Sequence, residues 1–142
     1  MPDEISPFNL FQERYRADPW KLLCCVIMLN QTSGKQLEPV HQEFFSRWPT
    51  PLHLVLADIH SVELLISPLG LQRRRARQLV RMSASYAFLW DGRDPTDLPG
   101  IGKYGSDSYR LSIRGELGLE VQDKELRRYL EWMKENVARS SG

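Results

Sequence analysis

The stretch Leu98-Pro99-Gly100-Ile101-Gly102-Lys103 is where this chain has residue types and spacing suited to holding a ligand. Glycine tolerates positive φ and lets another molecule come close to the main chain. Gly102 opens a helical segment, so successive N–H groups there point outward at the positive end of a helix dipole, a setting that suits a phosphate. Leu98 and Ile101 are the apolar anchors that would hold the turn in a core. The competing reading is an ordinary helix–helix turn, which often contains Pro and Gly. Beyond the following helix and a loop stands Asp123, directly before Lys124-Glu125-Leu126, where it would make a good N-cap for a last helix.

The elements that must position these residues read as helices. No period-2 strand of useful length occurs; apolar residues recur at three- and four-residue spacing. A first helix is predicted over Pro7–Arg16. Asp18 caps a second, with Pro19 at its first position. Its run from Trp20 to Leu29 is apolar nearly all round, as expected of a central buried helix. Further helices are predicted over Gly34–Trp48, Pro51–Ala57, His60–Ile66, Gln72–Leu89, Lys103–Ile113 and Asp123–Val137. Pro68-Leu69-Gly70-Leu71 reads as a turn, and the hairpin occupies about residues 94–104. The whole chain, 1–142, reads as one domain with fraying ends at 1–5 and 138–142.

Bulk properties narrow the function classes. Hydrophobic residues make up 42% and charged residues 26%, a globular composition. Net charge is +1, so a polyanion-binding role requires locally concentrated cations. Arg73, Arg74, Arg75, Arg77 and Arg81 crowd one predicted helix. They read as a solvated face, as ion-pair partners in the case of Arg75 and Arg77, or as phosphate contacts. The only cysteines, Cys24 and Cys25, are adjacent and lie in an apolar run, so reduced thiols in an intracellular protein are expected. They cannot supply the ligand set of an iron–sulfur cluster, and no Cys/His spacing suggests zinc; no metal and no cofactor is expected. No apolar stretch approaches the roughly 20 residues of a membrane span, and no signal-peptide pattern is present.

The hairpin, the helix after it, the loop and then the aspartate together resemble the helix-hairpin-helix DNA glycosylase superfamily. That resemblance implies an all-α fold with its helices in two lobes and a DNA-binding cleft between them. It also implies that Asp123 sits near a flipped nucleotide. Breaking an N-glycosidic bond builds oxocarbenium character on the sugar, which a carboxylate stabilises while it orients or deprotonates water. Catalysis and capping are compatible at this residue; Glu120 and Glu125 are the nearest alternative carboxylates. Many members carry a nucleophilic lysine where this chain has Tyr104. A tyrosine cannot form the Schiff base that cuts the strand, so a monofunctional enzyme is implied. Lys103 lies around the helix from that position, toward phosphate or solvent.

Within the superfamily the chain is similar to the thymine/uracil glycosylase domains associated with methyl-CpG-binding domains. The similarity rests on Ser-Pro-Phe-Asn-Leu-Phe-Gln-Glu (6–13), Asp-Pro-Trp-Lys-Leu-Leu (18–23), Leu-Asn-Gln-Thr-Ser-Gly-Lys (29–35), Pro-Leu-Gly-Leu (68–71), Gly-Ile-Gly-Lys-Tyr-Gly-Ser-Asp-Ser-Tyr-Arg (100–110) and Tyr-Leu-Glu-Trp (129–132). It implies that Gln12 and Tyr104 hydrogen-bond the flipped base and that Leu10 and Phe11 wall its pocket. In isolation, Gln12 reads as a solvated helix residue and Tyr104 as core. Gln31 stands where the family inserts an arginine into the gap left by the base, and Leu71 where it interrogates the partner strand; a core leucine at a helix start is the other reading of Leu71. The family pattern Val-x-Pro-x-Asp is shortened here to Val121-Gln122-Asp123. Gly100, Gly102, Lys103 and Lys35 are the expected contacts to the DNA backbone, and Asp107 is expected to be structural.

The expected function is removal of thymine or uracil mispaired with guanine in double-stranded DNA, by a monomer that leaves an abasic site. A glycosylase for another damaged base and a DNA-binding module with weakened catalysis are the alternatives. A repair role implies the nucleus in a eukaryotic source.

Overall fold

The computed structural model describes residues 5–141, with side chains through residue 137. The fraying expected of the two ends falls on residues that lie largely outside that description. Among the described residues there are helices and turns and no strand: α1 (Phe11–Arg14), α2 (Pro19–Leu29), α3 (Gly34–Arg47), α4 (Pro51–Val55), α5 (Ile59–Ile66), α6 (Gln72–Phe88), α7 (Lys103–Ser112) and α8 (Lys124–Ser141), with short 3₁₀ turns at Ser67–Leu69 and Pro95–Asp97. Among the described residues no helix is long and apolar enough to cross a membrane.

Local chemistry sets most boundaries. The Asp18 side chain accepts from Lys21 N–H and Pro19 starts α2, as the sequence predicts. Ser33 caps α3, and Gln36 Oε1 in turn accepts from the Ser33 N–H. Thr50 and Asp58 cap α4 and α5. The first helix departs from expectation, covering Phe11–Arg14 rather than Pro7–Arg16. Its cause is Glu13, a buried carboxylate that accepts from Ser6 N–H (2.6 Å), Ser6 Oγ (2.7 Å) and Leu10 N–H (2.8 Å). These bonds wrap residues 6–10 into a loop around the carboxylate instead of a helical turn.

Helix α2 is buried from Leu22 to Met28 and forms the axis of the larger core. Helices α3, α6 and α7 pack around it, and α4 and α5 lie on α6. A second, smaller core gathers Leu111 from α7, Val121 from the loop after it, and Leu126, Tyr129, Leu130 and Met133 from α8. Tyr104 packs against both cores and marks their seam. The two-lobed arrangement expected from the sequence is therefore present.

Leu98 and Ile101 are buried and anchor the hairpin in the larger core. Gly100 has φ +81°, a left-handed conformation that favours glycine. Gly105 faces a different demand: a Cβ there would stand 2.8 Å from Ile101 Cγ2 and 3.0 Å from Val26 Cγ1. Gly105 thus leaves the room that the Ile101 and Val26 side chains fill where α7 packs on α2.

Candidate active site

A cleft of about 750 Å³ opens at the seam. Its wall is built by the loop into α1, the α2–α3 turn, and the first turns of α7 and α8. Leu10, Phe11, Gln12, Gln31, Lys35, Tyr104 and Asp123 all line it. These residues come from distant parts of the chain, and the fold brings them to one concave surface.

Gln12 and Tyr104 form the floor. Gln12 is 3% exposed, and its Nε2 donates to Tyr104 Oη (2.7 Å) and to Ser108 Oγ (3.2 Å). Both amide protons are thereby engaged, which leaves Oε1 as the amide atom available to a ligand. Burial pushes the Tyr104 phenol up to about 12; the hydrogen bond from Gln12 opposes that shift, and the nearby Asp123 and Glu125 charges add to it. Tyr104 is therefore a neutral phenol whose oxygen accepts from Gln12 and whose own proton is free to be donated. The floor pairs one donor with one acceptor.

Asp123 stands at the rim, exposed, at the start of α8. One oxygen, Oδ2, accepts from Leu126 N–H (2.9 Å), and the Asp123 carbonyl accepts from Arg127 N–H (2.9 Å). The capping geometry expected of this residue is thus present, and it fixes the carboxyl group toward the cleft. Glu125 also lines the cleft, whereas Glu120 uses its carbonyl to accept from Lys103.

Lys103, expected from the sequence to contact the DNA backbone, has partners within the chain. Its Nζ donates to Asp107 Oδ2 (2.9 Å) and to the Glu120 carbonyl (2.7 Å). The pairing follows from their i,i+4 spacing on α7, and it gives the buried Asp107 the structural role expected of it. The amine is held beside the α8 approach loop and is not among the residues lining the cleft. Gly102, by contrast, is open: its backbone is extended, and nothing lies within 4 Å of a hypothetical Cβ. Neither strain nor packing requires glycine there. The first N–H groups of α7 have no carbonyl ahead of them in the helix and face outward beside it.

Gln31 and Leu71 lie on two separate turns, and both are exposed with positive φ, 63° and 50°. Leu71 is 53% exposed, so the reading of it as a core leucine is excluded. Of the basic run, Arg73, Arg74, Arg77 and Arg81 are exposed on α6. Arg75 is buried, and it bonds main-chain carbonyls rather than the acidic neighbours considered from the sequence.

Several contributors were not foreseen. Ser108 was legible, one helical turn beyond Tyr104 and so on the same face. Lys124 lines the cleft beside Asp123, and its adjacency in sequence was the available signal. Glu13 shapes the loop carrying Leu10 through contacts that no periodicity reveals.

Comparison with known proteins gives this arrangement a lineage. Residues 24–139 match the family described as HhH-GPD superfamily base excision DNA repair protein, and the chain belongs to that family. It is 36% identical over 110 residues to the methyl-CpG-binding domain protein 4-like protein of Arabidopsis thaliana, covering 78% of this chain and 24% of that one. It is 31% identical over 109 residues to the thymine/uracil-DNA glycosylase of Pyrobaculum aerophilum, covering 72% of this chain and 47% of that one. The solved structure of a thermostable thymine-DNA glycosylase superposes with a TM-score of 0.68 at 23% identity, over 77% of this chain and 54% of that chain, which shows a shared fold. The chain thus spans about half or less of the length of the curated relatives it matches.

Proposed function

We infer that the chain is a monofunctional DNA glycosylase that hydrolyses the N-glycosidic bond of thymine or uracil opposite guanine. The observation that carries this reading is one cleft lined by Gln12, Tyr104 and Asp123, with the open amides of the α7 N-terminus beside it. The amides and Gly102 grip a phosphate of duplex DNA without reading its sequence. The target nucleotide turns out of the stack, at a cost that is lower for a mispair.

A pyrimidine with two carbonyls and an N3–H suits the floor: N3–H donates to Gln12 Oε1, and Tyr104 donates to a ring carbonyl. As the bond between C1′ and the base nitrogen breaks, the electron pair leaves with the base and positive charge develops on the sugar. The Asp123 carboxylate stabilises that charge and takes a proton from the water whose oxygen joins C1′. The proton taken up by Asp123 passes through solvent to the departed base anion, so that the carboxylate is restored and the products are the free base and an abasic site. Tyr104 offers no amine for a Schiff base, and the nearby Lys103 amine is held by Asp107 and the Glu120 carbonyl.

The test is incubation with duplexes holding one T·G or U·G pair, followed by alkaline cleavage of abasic sites. Cleavage by the wild type and its loss in Asp123→Asn is the expected result. Mismatch binding without product from the wild type would overturn the enzyme in favour of a binding module. Borohydride should trap no covalent complex; an adduct would identify Lys124 or Lys103 as a nucleophile. Preference for an oxidised purine would exclude the pyrimidine floor.

A further inference from the structure

We propose that Arg75 is a positioning residue that ties together the two turns carrying Gln31 and Leu71, so that both side chains enter DNA as one wedge; the proposal rests on the DNA-handling reading above. Arg75 is 3% exposed, on the first turns of α6. Its Nη1 donates to the Leu69 carbonyl (3.0 Å), and its Nη2 donates to the Asn30 carbonyl. Its own N–H bonds the Leu71 carbonyl (2.9 Å), closing the first helical turn. One guanidinium therefore links the residue before Gln31 to the turn that ends at Leu71.

Three features make this more than a packed arginine. The cation bonds backbone carbonyls, no carboxylate contributes to its electrostatics, and burial alone holds its pKa below the usual arginine value. The two segments it joins lie far apart in sequence. The residues presented at the two turns, Gln31 and Leu71, are both exposed and both left-handed, a conformation that non-glycine residues seldom adopt. Such conformations persist only where surrounding structure over-determines them, and they cluster at sites of function. The planar fork of arginine can reach both carbonyls at once; a lysine ammonium offers a single point charge.

The experiment uses a duplex with 2-aminopurine beside a T·G pair. Its fluorescence rises when the neighbouring base leaves the stack, and anisotropy of the same duplex reports binding, so neither signal requires bond cleavage. The expected result for Arg75→Lys and Arg75→Met is duplex affinity close to wild type, set by the hairpin, with the fluorescence rise lost. Where the wild type cleaves, the single-turnover rate falls about tenfold to a hundredfold, as for other misplacements of a substrate-positioning group. Adding Arg75→Lys to a Gln31→Ala, Leu71→Ala background should lower the fluorescence rise little further. A normal rise in both Arg75 variants, no rise in the wild type, or losses that add fully to those of the double variant would overturn the proposal. Wild type that unstacks the base without cutting it would sink the glycosylase reading while leaving this one standing. If Arg75→Met fails to fold, Arg75→Lys, which keeps the charge and most of the volume, carries the test.

Discussion

At the scale of single residues, Asp123 does two jobs that can be separated. It caps α8 through Leu126 N–H, and it faces the cleft. Asparagine caps a helix about as well as aspartate, whereas alanine loses about 1 kcal/mol. Asp123→Asn should therefore keep the wild-type melting temperature while losing cleavage, and Asp123→Ala should lose both; calorimetry beside the cleavage assay checks this. In the sequence alone Asp123 reads as a helix cap, and it is the resemblance to the glycosylase superfamily that points to it as the catalytic carboxylate. Neither points to Arg75, whose partners are carbonyls of two remote turns, and carbonyls carry no residue-type signature. The Lys103–Asp107 pair is legible in the sequence from its i,i+4 spacing and opposite charges, whereas the second partner of Lys103, the Glu120 carbonyl, carries no such signature.

At the scale of elements, most helices were legible because their punctuation is chemical: Asp18 with Pro19, Thr50 with Pro51, and the Pro-Gly hairpin before α7. Helix α1 is shorter than the periodicity predicts because the buried Glu13 carboxylate captures the amides of Ser6 and Leu10, a local side-chain preference that overrides helical periodicity. The α2–α7 contact leaves no room for a side chain at Gly105. Gly105→Ala drives a methyl against Ile101 and Val26, and over-packing of this kind costs typically about 1–3 kcal/mol. A lower denaturation midpoint with an unchanged m-value is the expected outcome. Gly102→Ala meets no neighbour, so it should lower the melting temperature only by the small loss of a favoured N-cap residue while weakening DNA binding, as followed by anisotropy.

At the scale of the whole molecule, burial acts in the same direction on several acidic side chains. It raises the phenols of Tyr15, Tyr104 and Tyr129 from 10.0 to about 12, and it pushes the buried Cys24 and Cys25 thiols up. The unfolded chain releases the phenolic protons near 10, while the folded chain holds them to about 12. The stability these groups contribute is fully present below pH 10 and is lost as pH rises through 12. Melting temperatures at about pH 9 and about pH 11 should show a clear fall at the higher value; equal values would contradict the burial of these phenols.

The seam at Tyr104 has a consequence for how the molecule comes apart. The smaller core draws on few side chains, and a cluster of that size does not hold itself together without support. Because one aromatic ring is shared with the larger core, a single denaturation transition is the expected outcome, with amide protons of α8 and α2 exchanging through the same opening; two resolved transitions would contradict it. A ligand seated against that ring, as the proposed function requires, would touch both hydrophobic clusters at once, and slower amide exchange in α2 and α8 together is the expected signature of its binding.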